Sequence, residues 1–425
     1  MNDPGNPLQG ILGDLLKLIG GAQGGGKPWL DAAKALAHGV ATGGAPEPNT
    51  DPLERIHLEE LVRVAEMHVA DATGLPVGSG DHPLTFLPVG RGAWALKTLE
   101  AWSPLMEKIV AAQELAGPQG LGDIGQDLDI TGAADLGGMG DLGGMGDLGG
   151  MGGMGELLGR FASTMGPVLL GMQFGSAAGH LAQRSIGQYA LPIPWPTSDE
   201  LLIVPDNVAA FAQDWSLPLD QTQLWVCIRE LAAHAVLSRP HVAEHINRLL
   251  ADAATDTVAT QQGLAERLSG EAGDPEALQH MLSDPEALLA DLLTPGQRRT
   301  STHLIAVTTA LGGYVDHITS RVAGSLMGSP TALTEAWYRY RIADTAGEQA
   351  AGALFGLDLG REQVDRGASF VRGVVERAGE EGLARLWASE RNLPTPAEVD
   401  APGLWLERID LPHEGELDPG NQPGG

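Results

Sequence analysis

The sequence predicts a mainly α-helical protein, with one short strand element ahead of a central helix and a helical part at its N-terminal end. Three observations carry this expectation. Helix formers such as Ala, Leu and Glu dominate, whereas β-branched runs are short and few. Apolar residues recur at three- and four-residue steps over long stretches, which is the spacing of one helix face. Only Leu201–Val204 (LLIV), stopped by Pro205, reads clearly as a strand.

Residues 1–50 read as a poorly ordered lead-in. Within it Leu8–Ile19 has the spacing of a short amphipathic helix, and glycine-rich runs bracket a second weak helix around Trp29–Ala41. Residues 51–115 form the N-terminal helical part. Its first helix carries Leu53, Ile56, Leu61, Val64, Ala65 and Val69 and ends near Gly74 and Pro76; its second runs from about Gly92 to Leu115. Residues 116–155 are a Gly/Met-rich low-complexity loop, in which the hexamer at Asp135–Gly140 repeats at Asp141–Gly146. Glycine maximises the entropic cost of ordering, so this stretch suits a tether or a tolerated insertion.

Residues 156–405 form the main helical domain, followed by a disordered acidic tail at 406–425. Phe161–Ala182 carries no formal charge apart from His180 and is long enough to span a bilayer. Its frequent Gly, Ser and Ala, and the flanking Arg160 and Arg184, fit a close-packed internal helix better. Asp274 and Asp284 each open an Asp-Pro-Glu-Ala-Leu copy, a capping Asp before a Pro at the first helical position, and so mark two short helices.

The balance of charge excludes several partners. With 55 acidic against 26 basic residues the formal net charge is -29. Such a surface repels phosphate backbones and anionic lipid, so neither nucleic acid nor membrane is an expected partner. The single cysteine, Cys227, rules out an intrachain disulfide or a cysteine-rich zinc module, and on a helix it reads as a small buried hydrophobe. Met1–Gly10 lacks a basic segment followed by an apolar one, so a cytoplasmic protein without a secretory signal is expected. No phosphate-binding Gly-x-x-x-x-Gly-Lys loop and no Gly-x-Ser-x-Gly elbow occurs.

The chemistry concentrates in one predicted helix, from Asp220, placed to cap it, to the closing Pro240. Inside it lies Arg229-Glu230-Leu231-Ala232-Ala233-His234. A zincin helix carries His-Glu-x-x-His, because two imidazoles at i and i+4 share a face and the intervening Glu activates a metal-bound water.

Several segments extend this likeness in order: YALPIPWP (Tyr189–Pro196), LLIVPDNVAAF (Leu201–Phe211), the Arg-Glu helix, ALGGYVDHITSRV (Ala310–Val322), AWYRYR (Ala336–Arg341), ALFGLDL (Ala353–Leu359) and the closing Phe370–Val399. Together they span roughly residues 50–405, and through them the chain resembles the zincin-like metallopeptidases of high-GC bacteria, a family of zinc-dependent hydrolases some of which are linked to coenzyme F420 biosynthesis.

The resemblance implies a role for specific positions. Glu230 falls on the catalytic glutamate, the general base. The first histidine position is Arg229, the second is Ala233, and the downstream acidic ligand falls at Gly312, just before Gly313-Tyr314-Val315-Asp316. An arginine does not deprotonate and cannot coordinate, and Ala and Gly have no donor. His234 is one residue late, which turns it about 100° around the helix. The expectation is therefore a pseudoenzyme without a bound cofactor. Arg229 pairs with Glu230 in the former active site, whose cleft holds a peptide or protein partner.

Two alternatives stand beside it. His241-Val242-Ala243-Glu244-His245 matches the inverted zinc motif His-x-x-Glu-His, so a relocated zinc site on His241 and His245, near His234 and His317, would make an active metal-dependent hydrolase. A non-catalytic helical scaffold, recruiting a partner through its Gly/Met segment, is the other.

Overall fold

The helix bearing Arg229 and Glu230 is buried along almost its whole length, and the remaining elements are laid around it. The computed structural model describes residues 27–47, 52–78, 84–116, 151–253, 255, 295–343 and 345–412. The elements are α1 (Pro28–Thr42), α2 (Pro52–Thr73), β1 (Thr85–Pro88), α3 (Arg91–Ala116), α4 (Met151–Ala182), β2 (Glu200–Ile203), α5 (Pro205–Asp214), α6 (Leu219–Leu237), α7 (240–253), α8 (Pro295–Met327), α9 (Thr331–Arg341), α10 (Ala346–Phe355), α11 (Arg361–Ala384), α12 (Pro396–Asp400) and α13 (Pro402–Asp410). The fold is mainly α, as the composition predicts.

β2 is the predicted strand, one residue earlier than LLIV. Val204 leaves the ladder to donate its N–H to the Ile186 carbonyl, and Pro205 opens α5. β2 pairs in parallel with β1, Phe86 opposite Leu201. β1 went unpredicted because four residues, one of them Pro88, are too few to show a period of two.

The uncharged stretch Phe161–Ala182 lies in α4, where Gly171, Gly175 and Gly179 form a stripe against α1. A Cβ on Gly171 would sit 2.2 Å from the Trp29 carbonyl oxygen, and one on Gly175 would sit 2.4 Å from that of Ala33. The backbones touch because the side chains are missing, so the small residues serve helix packing. Among the described residues no helix is long and apolar enough to cross a membrane. The same contact corrects the reading of 1–50: Trp29, Ala33, Ala37 and Ala41 are buried, so the weak helix belongs to the body of the protein and not to a lead-in. Tertiary burial supplies what its short, Gly-flanked sequence lacks.

Three smaller differences are informative. On α2 the buried face is Leu58, Val62, Ala65 and Val69, while Leu53, Ile56 and Val64 are exposed; the apolar residues outnumber the face, and packing chose among them. α6 begins at Leu219 with Pro218 at the cap, so Asp220 lies in the first turn, where its charge suits the helix N-terminus. Met151–Gly155, within the predicted loop, is helical backbone at the start of α4. Leu8–Ile19, the DLGGMG copies, both Asp-Pro-Glu-Ala-Leu starts and the tail beyond Pro412 lie outside the described residues.

α8 crosses α11 at another glycine pair. A Cβ on Gly313 would lie 2.3 Å from the Gly367 carbonyl carbon, and one on Gly367 would lie 2.3 Å from the Thr309 carbonyl oxygen. This close approach brings Leu311–Gly313 to one wall of the cavity described next.

Candidate functional site

Arg229, Ala233 and Leu237 recur every four residues on α6, and all three line a cavity of about 110 Å³. Leu311–Gly313 of α8, Trp337, Tyr340 and Arg341 of α9, and the loop from Arg184 to Pro192 close the other sides. Glu230 lines it too. The fold thus brings to one space the four positions that sequence reasoning singled out: Arg229, Glu230, Ala233 and Gly312.

Glu230 is fully buried and both its carboxylate oxygens are occupied. Oε1 accepts from Arg229 Nη1 at 2.8 Å and Oε2 accepts from the Tyr189 backbone N–H at 2.8 Å. Burial pushes the carboxyl up from its ordinary value, and the Arg229 charge with the Tyr189 and Gln188 backbone N–H groups pulls it back. The loop reaches this close because residue 187 is glycine: a Cβ there would stand 2.4 Å from Glu230 Cδ. The loop itself is fixed by Trp94, whose indole donates to the Gly187 carbonyl at 2.9 Å, and by Asn207, whose amide donates to the carbonyls of Ala182 and Ser185.

Arg229 lies over the Trp337 ring, with its guanidinium carbon 4.4 Å from the centroid. A second ion pair stands beside it, from Arg341 Nη1 to Asp316 Oδ2. Gly312 faces that pair: a Cβ there would meet only Arg341 Nη2, at 3.3 Å. Arg184 and Tyr340 donate to each other's carbonyls at 2.8 and 2.7 Å and stack at 4.0 Å.

His234, one position beyond Ala233, does not line this cavity. Its Nδ1 is 2.9 Å from the Tyr189 hydroxyl, and burial pulls its pKa down to about 4, with Asp199 opposing. It is a neutral core imidazole at pH 7. Cys227 is buried, and burial with the nearby Glu230 charge pushes its thiol up, away from the reactive thiolate.

His241 and His245 share a face at the start of α7 and act as struts. His241 Nε2 donates to the Trp387 carbonyl at 3.0 Å, and His245 Nδ1 donates to Glu390 Oε1 at 2.9 Å. Glu244, the carboxylate of the inverted motif, is exposed. His317 is paired with Glu380 at 3.0 Å. Among the described residues no three His, Cys, Asp or Glu side chains are grouped so as to hold a metal ion.

Zinc therefore does not fit the residues at the positions that the resemblance assigns to its ligands. The position of the first imidazole holds a cation that donates to Glu230, and the other two positions bear no donor atom. Both oxygens of the carboxylate that would activate water are engaged. What the arrangement offers is a shaped space with paired charges, aromatic faces and orientable hydrogen-bond groups. Sequence reasoning missed Trp225, Trp337 and the Arg341–Asp316 pair. Trp225 was findable, since it precedes Arg229 by four residues on the same face; Arg341 and Asp316, 25 residues apart, carried no such signal.

A family model described as zincin-like metallopeptidase matches residues 29–406. Among solved structures, the chain is similar to a crystal structure from Chloroflexus aurantiacus, described as a candidate hydrolase with a novel fold. The two share 21% identity at a TM-score of 0.58, covering 90% of this chain and 99% of that one. At that identity the likeness speaks for the fold. No curated protein matches the chain in sequence.

Proposed function

The chain belongs to the zincin-like metallopeptidase family, and we propose that it keeps the family scaffold to hold a peptide without cutting it. One observation carries the reading: Arg229, at the position of a zinc ligand, donates to Glu230, at the position of the general base. A peptidase of this family needs the metal to make its nucleophile, and here the pair supplies the charge of the cation without its chemistry. The cavity beside it is lined by the Trp337 and Tyr340 rings and by the Arg229–Glu230 and Arg184–Glu348 pairs, groups suited to a peptide backbone and its side chains. An acidic surface favours a partner peptide that is neutral or basic.

The test is metal analysis of the full-length protein combined with a peptide array. The expected result is no tightly bound zinc, capture of a subset of peptides, and no cleavage of them with zinc added. Zinc near one equivalent, lost on His241→Ala with His245→Ala, would overturn the proposal and place an active hydrolase site on α7. Failure to capture any peptide would overturn it too.

A further inference from the structure

Three cavities, of about 110, 450 and 620 Å³, adjoin one another, and Arg341 is in the wall of each. We infer that Arg341 holds a carboxylate that carries an apolar body, as the C-terminal residue of a peptide presents it, with the body in the 450 Å³ cavity.

The carboxylate is specified by the hydrogen-bonding groups that the first cavity has left. Its acids are already engaged. Glu230 accepts through both oxygens, and Asp358 accepts from the Gly360 N–H and from the Gln363 amide. Glu348 Oε2 accepts from the Thr345 N–H and hydroxyl. Arg341, by contrast, donates among the described residues only through Nη1, to Asp316, which is not in the wall of that cavity. Some spare donors are out of reach: Arg184 Nη1 and Arg229 Nε are closed off from solvent. Neither remaining nitrogen of Arg341, Nε or Nη2, is closed off in that way, and the side chain is 24% exposed. Apart from neighbouring backbone, Nη2 is the one atom within 4 Å of where a Gly312 Cβ would stand. The missing side chain at 312 thus leaves Nη2 facing open space. A guanidinium with an unspent edge suits a carboxylate, which accepts charge-assisted hydrogen bonds.

The body is specified by the second cavity, whose walls include Trp225, Trp337, Val364, Val371 and Val375. Such a lining takes an apolar side chain of the leucine or phenylalanine kind. Arg341 follows Trp337 by one helical turn, so the polar and apolar parts of the ligand meet at one wall. The third cavity shares Arg341, Glu348, Asp358 and Leu359 with the first and gives the rest of a chain its way out. A C-terminal residue bears three groups on its Cα, the side chain, the carboxylate and the amide nitrogen, and three cavities meet at Arg341 to receive them. The inference rests on the peptide-holding reading and adds which end of the peptide is held.

The test is calorimetric titration of the full-length protein with N-acetyl-leucine at low ionic strength. N-acetyl-leucinamide is the control without the carboxylate, and N-acetylglycine the control without the apolar body. The expected result is saturable binding of N-acetyl-leucine, at least about tenfold tighter than either control, the worth of one hydrogen bond to a charged group. Arg341→Gln is expected to bring N-acetyl-leucine down to the level of the amide. Ala368→Trp, at an exposed position of the second cavity's wall, is expected to bring it down to the level of N-acetylglycine. An amide bound as tightly as the acid, a glycine compound bound as tightly as the leucine one, or no binding at all would overturn the assignment. Those comparisons use the wild-type chain and stand even if a variant fails to fold. Leucine-ending peptides, offered with a free and with an amidated C-terminus, separate this inference from the reading beneath it. Capture of free ends alone supports both, and capture of both forms alike sinks the Arg341 site while peptide holding stands. N-acetyl-leucine bound with no peptide captured keeps the site, for a free apolar acid, and sinks the peptide-holding reading.

Discussion

Arg229 and Glu230 are neighbours in the sequence, yet Nη1 of one lies 2.8 Å from Oε1 of the other. Adjacent residues on a helix point about 100° apart, so the arginine stem must arc back around α6 to reach. Trp337, stacked on the guanidinium, holds it in that arc. The pair is therefore a built arrangement between three side chains and not a chance surface contact.

Removing one partner strands the other. Arg229→Met leaves a buried carboxylate without its cation, and the expected loss is about 3–5 kcal/mol in urea unfolding. Adding Glu230→Leu in the same chain recovers most of it, since two apolar groups need no partner. A single Arg229→Met variant within about 1 kcal/mol of wild type would show that the pair does not carry stability.

Because Arg229, Ala233 and Gly312 face one cavity beside Glu230, the chain should accept the ligands it lacks. Arg229→His, Ala233→His and Gly312→Glu together place two imidazoles at i and i+4 opposite a carboxylate. The triple variant is expected to bind zinc near one equivalent where wild type binds none tightly. A variant with native circular dichroism and no added zinc uptake would mean that the three positions do not converge as described.

Neighbouring glycines should answer differently. Gly313→Ala drives a methyl into the Gly367 backbone, 2.3 Å away, and is expected to cost roughly 2–3 kcal/mol. Gly312→Ala meets only the tip of Arg341 and gains helix propensity, so it should be neutral or stabilising by about 0.5–1 kcal/mol. Equal effects in thermal or urea unfolding would contradict the α8–α11 crossing.

His234 should make stability depend on pH. Its folded pKa of about 4 lies below the ordinary 6.5, so the unfolded chain takes up a proton first as the pH falls. The contribution is fully present above pH 6.5 and lost as pH falls towards 4, with about 2 kcal/mol going between pH 7 and 5. His234→Gln keeps an acceptor for Tyr189 and removes the titration, so its urea midpoint should fall less over that interval. Parallel curves for the two proteins would exclude the role.

How much of this was legible beforehand follows the range of each interaction. Helix periodicity is local, so the helical class, the extent of α6, the strand at Leu201 and the Arg229–Ala233 register could be read directly. The one-residue offset of His234 was legible too, and α6 turns that side chain to Tyr189 and away from the cavity. Where the sequence offered more apolar residues than one face can use, as on α2, it could not choose.

Composition and spacing by themselves determined that the chain is helical and acidic; that three positions on two segments lack a zinc ligand is what the resemblance to the family implies. Only the tertiary structure decided that α1 is a core element, because its burial depends on glycines more than 120 residues away in α4. It also decided what surrounds Glu230. Tyr189, Trp337 and the Arg341–Asp316 pair arrive from separate elements, and no local pattern records which distant backbone or ring will fill the space beside a buried charge.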